Sequence, residues 1–488
     1  MQEASYICVP KPQWDKMISE LDYYKKWYVN RKSERYALGT EVDDQQLPID
    51  FEGESVIDQN IEENITSSEG NSGQKENNTK KKGKAKRLFI PPDIPRKEVI
   101  VELENIPEGA KFIRYETTEV LEVTPPSVSA LVIKRPVFMV PEDDDRFRYV
   151  TADYPDFLPI PKSNASASLL AYLIVSKFVD HLPIYRMVQM FRRDGIIFNS
   201  STINNWFKKV YELLQRLYEE LVDQVQKASY IQADETTIKL SRKGGAVEHY
   251  MWYYHAPLEK TACLQYQKGR SAECADDFFL DYEGLFAQAD GYAGYNHLKD
   301  RGITLLACMA HARRKFFDAL GNDKEMAEWA LSRFQLLYEI EEEVRSKNLD
   351  FAQIKGVRQV RAIPILEEMK NWAEKNVVDT LPKSKIGIAF RYFLKMYDRL
   401  LLYTEDGSFL IDNNLIENLI RPLAIGRKNY LFVGSENGGH WAAVFYSFFA
   451  TCKLNEVNPY QWLKHTLENI RSTPEENISS LLPQNFSE

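Results

Sequence analysis

Hydrophobic positions along the 488-residue chain change period several times. Over residues 12–36, Trp14, Met17, Leu21, Tyr24 and Tyr28 recur at three- and four-residue steps. That is the seam of a short helix, which needs a partner, either a second copy of the chain or the chain's own body. Apolar residues thin out over 40–87, where Asn, Ser, Gly, Glu and Lys dominate, and this stretch is predicted to be a disordered linker. Over 88–165 the period shortens to two. Val99, Val101 and Leu103 alternate with polar neighbours, as do Phe112, Arg114 and Glu116, which predicts a small β module. Helical spacing takes over at 166–227. Leu169, Leu170, Leu173, Ile174 and Phe178 share one face, and Ile184, Met187, Val188 and Phe191 a second, ended by Gly195. Ser200, Ser201 and Thr202 then offer an N-cap to a long helix that turns Ile203, Trp206, Phe207, Val210, Leu214 and Leu217 inward.

From Tyr230 the texture becomes α/β. Strands are predicted at 230–240, 248–255 and 262–267, a helix at 271–282, and further strands at 285–290 and 303–308, the last running into a helix with His311. Three hairpin-linked strands, a crossover helix and two more strands are the order of a ribonuclease-H-like sheet. Residues 321–403 are almost wholly helical and read as an insertion. A helix carrying Glu417, a glycine-rich patch at 434–439, an apolar helix at 441–454 and an amphipathic helix at 460–470 follow. The expected fold class is therefore multidomain α/β: a ribonuclease-H-like mixed sheet with a helical insertion, preceded by a helix-turn-helix region, a small β module and an N-terminal helix. The expected divisions are 1–39, 40–87, 88–165, 166–227, 228–320, 321–403, 404–455 and 456–488.

A hydrophobic share of 44% and a charged share of 27% suit a chain with a sizeable core. The apolar run at 441–452 falls short of the roughly 20 residues of a membrane span, and the first residues lack a secretory pattern. The five cysteines are scattered, odd in number and without a CxxC pair, which argues against a disulfide framework and a cysteine zinc site and suggests a reducing, cytoplasmic setting. The net charge of −9 looks wrong for a DNA binder, but ten acidic residues and no basic ones lie between Glu41 and Gly70; without those ten charges the rest stands at +1. Six of the eight residues from Lys80 to Arg87 are basic, a local field suited to a polyanion.

Candidate chemistry follows from placement. The second helix of the predicted helix-turn-helix would present Asn204, Asn205, Lys208 and Lys209 outward, where Asn can read adenine and Lys can meet phosphate; a plain helical pair is the alternative. Asp234 interrupts the apolar first strand of the α/β region, Asp290 ends the fourth, and Glu417 sits mid-helix beside Ile416 and Leu419. Buried carboxylates that converge call for a divalent cation, and all-oxygen ligands suit magnesium or manganese. Three of them around two ions can drive an in-line phosphodiester displacement. Taken singly each is as easily a turn or cap residue, and Glu235, Asp412 and Asp318 are nearby alternatives. Arg313, Arg314, Lys315, Arg421, Arg427 and Lys428 are candidate phosphate holders. His311 is either an auxiliary that orients a phosphate or water, or a structural histidine. Cys308 reads as packing and Trp441 as core.

Several strings carry a resemblance: VSKFVDHLPIYRMVQMF, STINNWF, QADETT, QADGYAGYNHL, CMAHARRKFF, IDNNLIENLIRPLAIGRKNYLFVGSENGG and NPYQWLKHTLENI, in this order, with NRKSERYALG more weakly. Over about 166–485 the chain resembles transposases of the insertion sequence 66 family. The resemblance implies a DDE transposase with a ribonuclease-H-like core, a helical insertion before the final Glu, and catalytic, metal-binding residues at Asp234, Asp290 and Glu417. It also implies double-stranded DNA as partner, a homo-oligomer of at least two copies in the synapse, and accessory proteins encoded beside the transposase. The family's cysteine zinc module has no counterpart here, because 88–165 contains neither Cys nor His, and no zinc is expected. The expected function is binding of terminal inverted repeats with metal-dependent strand cleavage and transfer. A nuclease or resolvase on the same fold, and a non-catalytic DNA-binding remnant, are the alternatives.

Overall fold

The computed structural model describes residues 96–487 apart from 104, 125–126 and 143–146. The predicted N-terminal helix and the acidic-then-basic linker lie outside the described residues. No helix among those described is long and apolar enough to cross a membrane.

The predicted β module is a four-stranded sheet. β1 (Arg96–Ile100) pairs in parallel with β3 (Ser127–Pro141), which also pairs antiparallel with β2 (Lys111–Thr124) and β4 (Phe147–Thr151). Its edge is tied to the next helix: the Ser166 hydroxyl donates to the Leu121 carbonyl at 2.6 Å and also caps the amide of Leu169.

Helices α1 (Ala167–Phe178), α2 (Ile184–Arg193) and α3 (Ser200–Gln226) follow. The turn before α3 contains Gly195 at φ +79°, a conformation glycine adopts without steric cost. One expectation is corrected here. The N-cap of α3 is Asn199, with no side-chain cap bond, and Ser200 already lies inside the helix. The inward set is as read: Ile203, Trp206, Phe207, Val210, Leu214 and Leu217 are all buried.

The second sheet has the order β7-β6-β5-β8-β9. β5 (Tyr230–Arg242), β6 (Gly245–Ala256) and β7 (Thr261–Gln267) form an antiparallel meander. After α4 (Ala272–Phe279), β8 (Phe286–Ala289) pairs in parallel with β5, and β9 (Thr304–Ala307) in parallel with β8. Side chains alternate across the pleat. Met251 and Tyr253 face α3 and the C-terminal helices, while Trp252 and Tyr254 face α4.

Beyond β9 come α5 (Met309–Asp318) and three long helices, α6 (Lys324–Ser346), α7 (Phe351–Val377) and α8 (Lys385–Leu401), which share a core of their own. Inside it Arg358 and Glu341, both buried, form a two-pronged ion pair at 2.6 and 2.9 Å. The chain returns to the sheet through α9 (Asn414–Tyr430), α10 (Glu436–Leu454) and α11 (Pro459–Asn469). α10 covers the edge strand β7: the outward amides of Ala262 and Leu264 donate to the hydroxyls of Thr451 and Ser447. The glycine-rich patch before the apolar helix is not all loop, because α10 begins at Glu436. Gly439 is needed for close approach, since a Cβ there would sit 2.4 Å from the Tyr266 ring.

Candidate active site

The tripeptide Gln-Ala-Asp occurs twice, at 232–234 and 288–290. Strands β5 and β8 set the two copies side by side, with Gln232 opposite Gln288 in parallel register. Two residues further on, where the parallel pairing of β5 with β8 ends, stand Asp234, still inside β5 and opposite Tyr253 of β6, and Asp290, the first residue past β8; the carboxyl end of parallel strands is where α/β sheets open a crevice.

The glutamines hold this corner together. Both are fully buried. The Gln288 Oε1 accepts from the Gln232 amide at 2.8 Å and from the Tyr230 hydroxyl at 2.6 Å. The same Gln232 amide donates to the Asp412 carbonyl at 2.8 Å, and the Gln288 amide donates to the Leu410 carbonyl at 2.8 Å. Burial holds the His255 imidazole near 4, hence neutral, and its Nδ1 meets the Gln232 Oε1 at 3.0 Å. The Asn413 amide donates to the Cys308 sulfur, and the Met309 amide to the Ile411 carbonyl. Residues 410–413, which lead into α9, are thereby fastened to β5, β8 and the start of α5. Glu417 in the first turn of α9 is brought to the acid pair by these bonds.

The electrostatics agree. Burial, then the neighbouring charge of Glu235, then those of Asp290 and Glu417, push the Asp234 carboxyl up to about 8; its Oδ1 accepts the Glu235 amide at 2.8 Å, which partly offsets this. The Asp290 Oδ1 accepts the Tyr292 amide at 2.8 Å. The His311 Nε2 lies 3.9 Å from the Glu417 carboxylate, and the buried Nδ1 has no partner. Asp234, Asp290, Glu417 and His311 therefore share one corner. As the side chains stand, no group of three or more His, Cys, Asp or Glu among the described residues is close enough together to hold an ion. The donor set is nonetheless all oxygen and strongly negative, which suits a hard divalent cation.

The alternatives separate from the triple. Asp412 is consumed by the Tyr338 hydroxyl at 2.7 Å and by both nitrogens of Asn414. Asp318 is at the far end of α5. The Glu235 carboxylate, 1% exposed, is held by the Tyr295 hydroxyl at 2.6 Å and by Arg270, whose guanidinium stacks 3.9 Å from the Tyr292 ring and reaches to 3.9 Å from Asp290. Burial and the charge of Asp412 push the Cys308 thiol up to about 12, so it packs rather than reacts.

Among the basic candidates, Arg421, Lys428 and Arg314 are exposed and Arg313 and Lys315 half-buried. Arg427 is tied to β5 through the Thr236 hydroxyl at 3.0 Å and both oxygens of Thr237, so that much of its donor capacity is structural. Asn204, Asn205, Lys208 and Lys209 are exposed on α3, and Lys208 stands 3.7 Å from Glu212. Arg270, Tyr295, Gln232 and Gln288 were missed by sequence reasoning. The repeated Gln-Ala-Asp was a signal for the glutamines; nothing in the sequence pointed to Arg270.

Residues 162–441, which contain both Gln-Ala-Asp strands and Glu417, match the Transposase IS66 family, and residues 447–484 match the IS66 C-terminal element. Three Sinorhizobium fredii proteins, each described as uncharacterized, are similar over most of their length. One, y4qI, is 32% identical over 424 residues, covering 80% of this chain and 77% of the relative. A second, y4jD, is 30% identical over 433 residues, 82% of this chain and 81% of the relative. A third, y4hP, is 27% identical over 423 residues, 80% and 75% respectively. With the larger match spanning more than half of its residues, the chain belongs to the IS66 transposase family.

Proposed function

We propose that the chain is the DNA transposase of an insertion sequence, binding the element's terminal inverted repeats and carrying out metal-dependent strand cleavage and strand transfer by a DDE mechanism. The observation that carries the reading is the pairing of the two Gln-Ala-Asp strands in register, with Glu417 fastened to the same corner. The sheet order, an antiparallel meander followed by two parallel strands, is that expected of a ribonuclease-H-like core and supports it.

Asp234, Asp290 and Glu417 would hold the divalent cation, magnesium or manganese, which supplies positive charge against the transferring phosphate. The chain's own residues do the rest. The buried glutamines keep the acids within reach of one another. Glu235, held by Arg270 and the Tyr295 hydroxyl, is not free to bind the ion. His311 is near enough to orient Glu417 or a water. Arg421, Lys428, Arg313, Arg314 and Lys315 would hold DNA phosphates, with Arg427 mainly fixing α9 to β5. α3 would meet DNA through Asn204, Asn205, Lys208 and Lys209.

The experiment is cleavage and joining of labelled element-end DNA with magnesium or manganese, comparing wild type with Asp234→Asn and Glu417→Gln. Metal-dependent nicking and joining lost in both variants is the expected result. Cleavage that survives either substitution, or binding without cleavage by the wild type, would overturn the assignment.

A further inference from the structure

The end of α9 is an exposed apolar tip. Leu431 has φ +63° and ψ −43°. The Phe432 amide donates back to the Tyr430 carbonyl at 2.7 Å, closing a three-residue turn of the rare, strained hand. A β-carbon disfavours this conformation, so a surrounding structure must impose it. It does: the Leu431 amide donates to the Arg427 carbonyl, the Val433 amide to the Lys239 carbonyl, and the Ser241 amide to the Val433 carbonyl, with Val433 buried. The tip is thus clamped between α9 and β5, yet Leu431 is 62% and Phe432 47% exposed. Its flanks are basic. Lys428 is exposed one turn earlier, Lys239 and Lys243 are exposed on β5 and its turn, and Arg242 and Lys268 both pair with Glu436. Glu248 stands opposite Lys239 in the β5–β6 register.

We propose that Leu431 and Phe432 form a wedge that enters a base step of duplex DNA lying along α9; the inference rests on the transposase reading above. Apolar side chains on a rigid support that unstack a base step are a general device of DNA binders, and basic flanks neutralise the phosphates on either side. α9 runs beside β5, as the bonds of Arg427 to Thr236 and Thr237 require. From Glu417 to Leu431 the helix rises about 21 Å, the length of roughly six base pairs. The wedge would therefore act about that far from the bond being cut, with Arg421 and Lys428 between.

The test uses the full-length chain, with chelator present, and a duplex copying the terminal sequence of the encoding element, in which 2-aminopurine is moved one step at a time. A fluorescence rise confined to one step roughly six base pairs from the cleavage site is expected. Phe432→Ala and Leu431→Gly should each abolish it and weaken binding roughly tenfold, leaving the salt dependence unchanged because no charge is removed. Both sites are exposed, and circular dichroism checks that each variant folds. Wild-type binding with no rise at any step, or a rise that persists in both variants, would overturn the wedge and leave the transposase reading intact. No duplex binding by the wild type would remove both. Conversion of an oligomer to a monomer by either variant, with DNA binding unchanged, would make the tip a contact between copies and overturn the wedge.

Discussion

Replacing Asp234 by asparagine should stabilise the protein in the absence of metal while removing its proposed chemistry. The Asp234 carboxyl is pushed up to about 8 by burial and by the charges of Glu235, Asp290 and Glu417, whereas in the unfolded chain it ionises near 4. The folded state therefore holds a proton that the unfolded state has released, and wild-type stability falls as pH rises through this window. A rise from near 4 to about 8 corresponds to roughly 5 kcal/mol by pH 8; because the group is partly open to water, about half of that, roughly 2–3 kcal/mol, is the expected effect. Asparagine keeps an oxygen for the Glu235 amide and carries no charge, so it escapes the loss. Urea unfolding of both chains with chelator should give matching stabilities near pH 4 and a gap in favour of Asp234→Asn that widens to pH 8. Added magnesium should raise wild-type stability and close the gap. Parallel pH curves, or a variant less stable than wild type at pH 8, would refute the picture of mutually repelling acids.

Gln232→Leu should cost about 2–4 kcal/mol in the same unfolding experiment, because the Asp412 carbonyl and the His255 Nδ1 lose their buried partner, and it should lower cleavage by loosening α9; a cost below about 1 kcal/mol would mean the amides are not the link. Gly439→Ala should lower stability by about 1–3 kcal/mol, read as a fall in Tm, since the new methyl group meets the Tyr266 ring. Lys209→Ala, at an exposed position on α3, should leave stability unchanged and reduce the slope of log affinity against log salt by about one; an unchanged slope would take α3 off the DNA.

Periodicity was enough for the helices and the α/β strands, because each buries a regular face: the inward residues of α3 and the five strands from β5 to β9 fall where their patterns predict. The start of α3 was misread because a Ser-Ser-Thr cluster satisfies cap chemistry equally well one residue earlier or later, and Asn199 took the position. The parallel pairing of β1 with β3 could not be read from local alternation, which is blind to partner and direction. At the proposed site, the charges of Asp234, Asp290 and Glu417 on apolar elements were legible in the sequence. Their connection was not. The amides that join 232, 288 and 410–413 bridge up to 181 residues of sequence, and no local pattern encodes such a contact. Arg270 was invisible for the same reason: it lies between β7 and α4, outside any periodic face, and its partners Glu235, Tyr292 and Asp290 come from other elements.

The placement of 410–413 and α9 after the helical insertion has a consequence for synthesis. A ribosome completes Asp234 and Asp290, then the whole of α6, α7 and α8, before it reaches the segment that the buried glutamines receive. The residues that follow also supply α10, whose hydroxyls satisfy the edge of β7 and whose apolar face closes the core over α3. A message broken before this point yields a chain with both an unfinished acid site and an uncovered sheet. Such a product would leave the edge amides of β7 and the core face of α3 open to solvent. Completion of the fold and acquisition of the third acid thus coincide in the last stretch of the chain.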